Sequence, residues 1–117
     1  MSWSSGAGRV ELIARFTALP GREEEVASLL LALTAKVRDE PGCLVFEPYR
    51  VGQAPSGFDA AAEPAAGGTC FVVLEAYRDE AAFAEHIAAE YGAEFNAALG
   101  PLIVEDGSVL TFITPLG

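Results

Sequence analysis

Apolar and polar residues along this chain keep two different periods, and the boundaries between them predict its elements. From Arg9 to Ala18, Val10, Leu12, Ala14 and Phe16 alternate with Glu11, Ile13, Arg15 and Thr17, the period of a strand. Pro20-Gly21 ends that run. Glu23, Glu24 and Glu25 then fall where a helix N-terminus favours negative charge, and Val26, Leu29, Leu30, Leu33 and Val37 form the stripe of a helix that Pro41-Gly42 stops. A second strand is expected from Cys43 to Val51 and a third from Thr69 to Tyr77. Between them Gly52 to Gly68 is rich in Ala, Gly and Pro, which predicts a long mobile loop. Asp79 is placed to cap a second helix, in which Phe83, Ile87, Tyr91, Phe95 and Leu99 recur every four residues. Gly92 is expected to kink or split that helix and Gly100-Pro101 to end it. Ser108 to Thr114 reads as the fourth strand.

The resulting order, β-α-β-β-α-β, is the ferredoxin-like plan: an α+β fold with a four-stranded antiparallel sheet and its helices on one face. Such a sheet should alternate apolar and polar sides. These strands are apolar on both. Val45 and Tyr49 oppose Leu44 and Phe46, Val72 and Leu74 oppose Phe71 and Val73, and Val109 and Ile113 oppose Leu110 and Phe112. The face without helices therefore needs cover, and a second copy packed sheet to sheet, a homodimer, is the simplest.

Composition narrows the picture. The chain's 117 residues fit one domain, 9–117, after a loose tail, 1–8, which has neither the basic start nor the apolar stretch of a secretion signal. No apolar run is long enough to span a membrane, and a cytoplasmic location is expected. With 17 Asp and Glu against 7 Lys and Arg, the net charge of −10 disfavours nucleic acid as a partner. Cys43 and Cys70 each begin a strand of an expected antiparallel hairpin. That puts them at opposite ends, too far apart for a disulfide. Two thiols and one distant histidine make no four-ligand zinc site, and no motif requires a metal or cofactor.

The single histidine, His86, borders the apolar stripe of the second helix. There it can point into a cavity between helix and sheet and exchange protons near neutral pH. A structural histidine at the helix edge is the competing reading. Tyr77, at the end of the third strand, offers an aromatic wall and a phenol. Glu75 shares its face, with Arg15, Arg50 and Arg78 as candidate ion-pair partners. Tyr49, Phe46 and Phe71 are candidates for either pocket lining or dimer contact.

These segments resemble the antibiotic biosynthesis monooxygenase domain family over about residues 9–114. The resemblance rests on Pro20-Gly21-Arg22-Glu23, on Glu40-Pro-Gly-Cys43 and, above all, on Glu75-Ala-Tyr-Arg-Asp-Glu-Ala-Ala-Phe-Ala-Glu-His86. It implies a dimeric α/β barrel with a cavity in each subunit. It also implies, as in some members, oxygenation of a quinol-type polycyclic aromatic by molecular oxygen without metal or flavin. His86 would then accept or orient the proton. Tyr77, Phe83, Tyr49, Phe71 and Glu75 would hold the small aromatic ligand. Family members often carry Trp where Tyr77 stands. The Asn-Trp-His set of the haem-degrading branch is not matched, because Asn96 lies on the second helix and Trp3 in the tail. A non-catalytic dimeric small-molecule-binding barrel and a proton-transfer isomerase are the alternative functions.

Overall fold

Strand alternation and helix punctuation both act where the sequence places them. The computed structural model describes residues 8–58 and 68–117, so most of the expected tail, and residues 59–67 of the expected loop, lie outside the described residues. In chain order the elements are β1 (Val10–Ala18), α1 (Glu23–Val37), β2 (Cys43–Arg50), β3 (Thr69–Tyr77), α2 (Glu80–Ala88), α3 (Glu90–Leu99) and β4 (Val109–Ile113). The strands form one antiparallel sheet in the order β2-β3-β1-β4. This is the α+β, ferredoxin-like architecture, with its second helix divided in two.

Gly21, at a φ of 85°, supplies the left-handed turn between β1 and α1. Glu23, Glu24 and Glu25 occupy the first helical turn, and α1 buries Val26, Leu30, Thr34 and Val37. The Thr34 hydroxyl donates back to the Leu30 carbonyl (2.7 Å), which lets a polar residue sit in the core. At the far end of α1 the Arg38 guanidinium donates to the Phe46 carbonyl (2.8 and 3.1 Å), tying the helix exit to β2.

Asp79 caps α2 as expected, its side chain accepting the Ala82 amide (2.8 Å). The helical stripe then breaks earlier than Gly92. The extended backbone of Ala89 (φ −67°, ψ 135°) ends α2 and starts α3. The break re-aims the chain, so Phe95 and Leu99 enter the core whereas Ile87 stays largely exposed. Counting every fourth residue assumed one straight helix; the change of axis at Ala89 removes Ile87 from the series.

Register settles which residues share a face. Leu12, Ala14 and Phe16 pair with Glu75, Val73 and Phe71, and all six point under the helices. Phe16 stacks on Phe71 (6.1 Å between ring centroids) and meets Phe95 edge-on (6.3 Å). Each large buried side chain contributes about 2 kcal/mol of transfer free energy. The other face carries Ile13, Val45, Tyr49, Val72, Leu74, Val109 and Ile113, of which Tyr49, Leu74, Val109 and Ile113 are exposed. Cys43 pairs opposite Tyr77 and Cys70 opposite Thr17, at opposite ends of the ladder, and no disulfide joins them. Among the described residues no helix is long and apolar enough to cross a membrane.

One close approach sets the spacing of α1's exit and α2. A Cβ built on Gly42 would sit 2.3 Å from the Ala82 Cβ, so only glycine fits. Gly42→Ala should therefore lower stability by about 1–3 kcal/mol in urea denaturation. Gly107→Ala, where a Cβ meets nothing within 4 Å, should stay within about 0.5 kcal/mol of the parent. Equal midpoints for the two variants would contradict the contact.

Candidate active site

Between the sheet and the helices lies a cavity of about 420 Å³. Its walls are mostly apolar, from Leu12, Ala14 and Phe16 of β1, Val73 of β3, Leu30 and Leu33 of α1, and Phe95 and Leu99 of α3. His86 and Glu75 break that surface side by side. The period of two along β3 turns Val73, Glu75 and Tyr77 to the same side, which forces a carboxyl group into an apolar wall.

The buried carboxyl is answered at once. The Tyr77 hydroxyl donates to Glu75 Oε1 (2.6 Å), and His86 Nε2 lies 3.8 Å from the same oxygen. On the other edge of the ring, His86 Nδ1 is 3.1 Å from Glu40 Oε2, and the Tyr91 hydroxyl donates to that same oxygen. A carboxylate oxygen only accepts, so the Glu40 bond places a proton on Nδ1 and turns Nε2 toward Glu75 and the cavity. The imidazole is held flat by neighbouring rings. Tyr77 lies 4.8 Å away between centroids, Phe83 stacks at 6.2 Å and Phe46 tilts at 6.2 Å. Side-chain exposure is 13% at His86, 16% at Glu40 and 7% at Glu75, so the arrangement is screened from water.

Burial pushes the Glu75 carboxyl above its ordinary value, and the Glu40 charge adds to the rise. The Tyr77 bond and the nearness of His86 work against it. Burial also raises Tyr77, as do the Glu75 charge and hydrogen bond, so that phenol remains a donor. Tyr91 is raised by burial and by its bond to Glu40. Burial and the two carboxylates push the Cys43 thiol up to about 11, which keeps it protonated and unreactive near neutral pH.

The structure thus gathers His86, Tyr77, Phe83 and Glu75. Tyr77 is wholly buried behind Glu75 and is not part of the cavity wall. Tyr49 lies on the opposite face of the sheet and Phe71 is locked in the core against Phe16, so neither reaches the cavity. The arginine partners expected for Glu75 are also corrected. Arg15 lies on the far face, Arg50 pairs with Glu24 (3.2 Å) and Arg78 with Asp79 (3.4 Å). Glu40 and Tyr91 were missed as site residues. Glu40 sits in a helix exit 46 residues from His86, and Tyr91 resembled any other member of an apolar stripe. Among the described residues no group of three or more His, Cys, Asp or Glu is arranged to hold a metal ion.

The Glu75 shift has a measurable consequence. Its folded value is raised, so the folded state holds the proton more tightly than the unfolded chain. The associated stability is complete below the ordinary carboxyl value and is lost as pH rises through the folded one. Relative to the parent, Glu75→Gln should gain stability in urea midpoints as pH rises above the ordinary carboxyl value, levelling off once the folded carboxyl has ionised. A pH-independent gap between the two proteins would mean that the carboxyl is not desolvated.

The geometry can now be set beside known proteins. A sequence model of the antibiotic biosynthesis monooxygenase family matches residues 9–98. Among solved structures, a Mycobacterium tuberculosis protein is 28% identical with a TM-score of 0.72, covering 93% of this chain and 96% of its own. A Pseudomonas aeruginosa protein is 26% identical with the same TM-score, covering 94% and 96%. A Caulobacter crescentus protein that bears the family's name is 25% identical with a TM-score of 0.71, covering 94% and 92%. No curated protein matches closely enough to count as a relative. With the matched segment running from β1 to the end of α3, the chain belongs to the antibiotic biosynthesis monooxygenase family.

Proposed function

We propose that this protein is a cofactor-independent monooxygenase that oxidises a quinol-type or phenolic aromatic held in the cavity, with His86 as the proton acceptor. The observation that carries the reading is the orientation of His86. Glu40 holds Nδ1–H, and Nε2 faces an apolar chamber beside a carboxyl that burial shifts toward its protonated form. Removing a proton from an electron-rich phenol gives an anion that reduces oxygen directly, and the surrounding wall favours a flat apolar ring. For an anthrone-like substrate the balance is simple. A ring CH₂ and O₂ become a ring C=O and water, one oxygen atom entering each product, and no outside reductant is needed. Glu40 acts through His86: it fixes the tautomer and stabilises the imidazolium once the proton has moved.

A second reading draws on the same pair. His86 and Glu75 are two proton carriers 3.8 Å apart at one cavity wall, which also suits a proton-transfer isomerase. Oxygen consumption separates the two. Metal-stripped protein with anthrones and naphthalene quinols should take up oxygen above the spontaneous rate, and His86→Asn should lower the catalysed part by about 100-fold. In Glu40→Gln the fall should be smaller, with the pH–rate limb displaced and not abolished. Full activity in His86→Asn would end the catalytic assignment, and turnover without oxygen uptake would favour the isomerase.

The open sheet face supports a homodimer as the working form, since Tyr49, Leu74, Val109 and Ile113 lie exposed together on it. Light scattering at micromolar concentration should return twice the chain mass. A monomeric mass would count against sheet-to-sheet packing.

A further inference from the structure

Among the described residues, the acidic side chains lining the cavity lie at two places. One is the His86–Glu75 wall. The other is formed by Asp106, with Ser108, in the segment leading into β4; Asn96 of α3 also lines the cavity. Register gives their separation. Glu75 stands opposite Leu12, whereas Val109 stands opposite Arg15 and so brings Ser108 level with Phe16. From Leu12 to Phe16 the strand rises roughly 13 Å, and because β3 and β4 flank β1 the poles also lie roughly 10 Å apart sideways. Between the two poles the walls are apolar, with Ala14, Val73, Leu30 and Phe95 among them.

The second pole is held in place. Glu105, next to Asp106, accepts the Thr17 amide at one oxygen (2.7 Å) and the Thr17 hydroxyl at the other (2.8 Å). The Val104 amide donates to the Thr17 carbonyl (2.9 Å), so the segment is clamped to the end of β1 from both sides. Asp106 and Glu75 both offer carboxyl oxygens, and Ser108 and Asn96 add groups that accept as well as donate. Among the described residues, no Lys or Arg lines the cavity. A carboxylate ligand would face Glu75 and the exposed Asp106 without gaining a cation, which opposes binding.

We infer that the cavity is a two-ended receptor for an uncharged, elongated aromatic that donates a hydrogen bond at each end, Asp106 and Ser108 forming the end remote from His86. A skeleton of two or three fused rings with a hydroxyl at either end bridges the poles. This rests on the cavity being the ligand site, but not on any reaction with oxygen. The inference concerns which aromatics are admitted: bis-hydroxylated ones are favoured over singly hydroxylated ones, and carboxylated congeners are turned away.

Equilibrium binding of three air-stable probes, followed by their fluorescence near pH 7, tests it on the full-length protein. Naphthalene-2,6-diol should bind about tenfold more tightly than 2-naphthol, the worth of one further bond to a charged acceptor. 2-Naphthoate should bind more weakly than either. The double variant Asp106→Ala/Ser108→Ala, its fold checked by circular dichroism, should weaken the diol about tenfold and close the gap to 2-naphthol. Asp106→Lys should reverse the order for 2-naphthoate by supplying the missing cation. Diol and 2-naphthol binding equally, 2-naphthoate binding as tightly as the diol, or a double variant that keeps the diol preference would each overturn the two-ended reading while leaving the cavity as a site. Failure of all three probes to bind would instead overturn the cavity as an aromatic receptor, and the proposed function with it.

Discussion

A carboxyl group buried in an apolar wall is the constraint around which this molecule is arranged. An ionised carboxylate taken from water without partners is too costly to keep in a marginally stable domain. Glu75 avoids that state through a partner two residues away on the same strand face, Tyr77, and a second one from a helix, His86. Using the histidine creates a further demand, because its other ring nitrogen also needs company. That comes from Glu40 at the exit of α1, which is shared with Tyr91 of α3. One buried acid thereby links β3, α2, α1 and α3 through side-chain polar contacts. The same chain of contacts that satisfies the acid leaves Nε2 of the histidine facing open space.

The architecture was legible because it rests on local rules. Alternation along β1 and β3, the Pro20-Gly21 turn and the Asp79 cap each act within a few residues, and the observed β3 begins and ends where the pattern placed it. The helix break was less legible. A glycine is the usual suspect, yet the chain turns at Ala89, where the packing of Phe95 and Leu99 against the sheet decides the axis and propensity does not.

The site was legible in half. His86, Tyr77, Phe83 and Glu75 lie within one twelve-residue stretch whose strand-to-helix turn brings them together, so short-range reasoning finds them. Glu40 stands in the Glu40-Pro-Gly-Cys43 motif, but its pairing with His86 comes only from tertiary packing. Tyr49 and Phe71 miss the cavity for another reason. Aromatic character says that a ring will be covered, but strand parity decides by what, and Tyr49 falls on the opposite side from Phe46. The acidic composition had a similar limit: it argued against nucleic acid, but the carboxylates around His86 are the few withdrawn from the surface.

The contact between Gly42 and Ala82 is made by small residues at van der Waals limits, so the distance between α1's exit and α2 is set by main chain and not by adjustable side chains. The Glu40–His86 pair spans the same gap and inherits its rigidity. The opposite end of the cavity is built differently, from a segment before β4 and from Leu110 on the partly exposed edge strand. Drift in sequence can therefore reshape one end of the chamber, lengthening or narrowing it, while the end around His86 keeps its dimensions. The two ends are free to evolve at different rates.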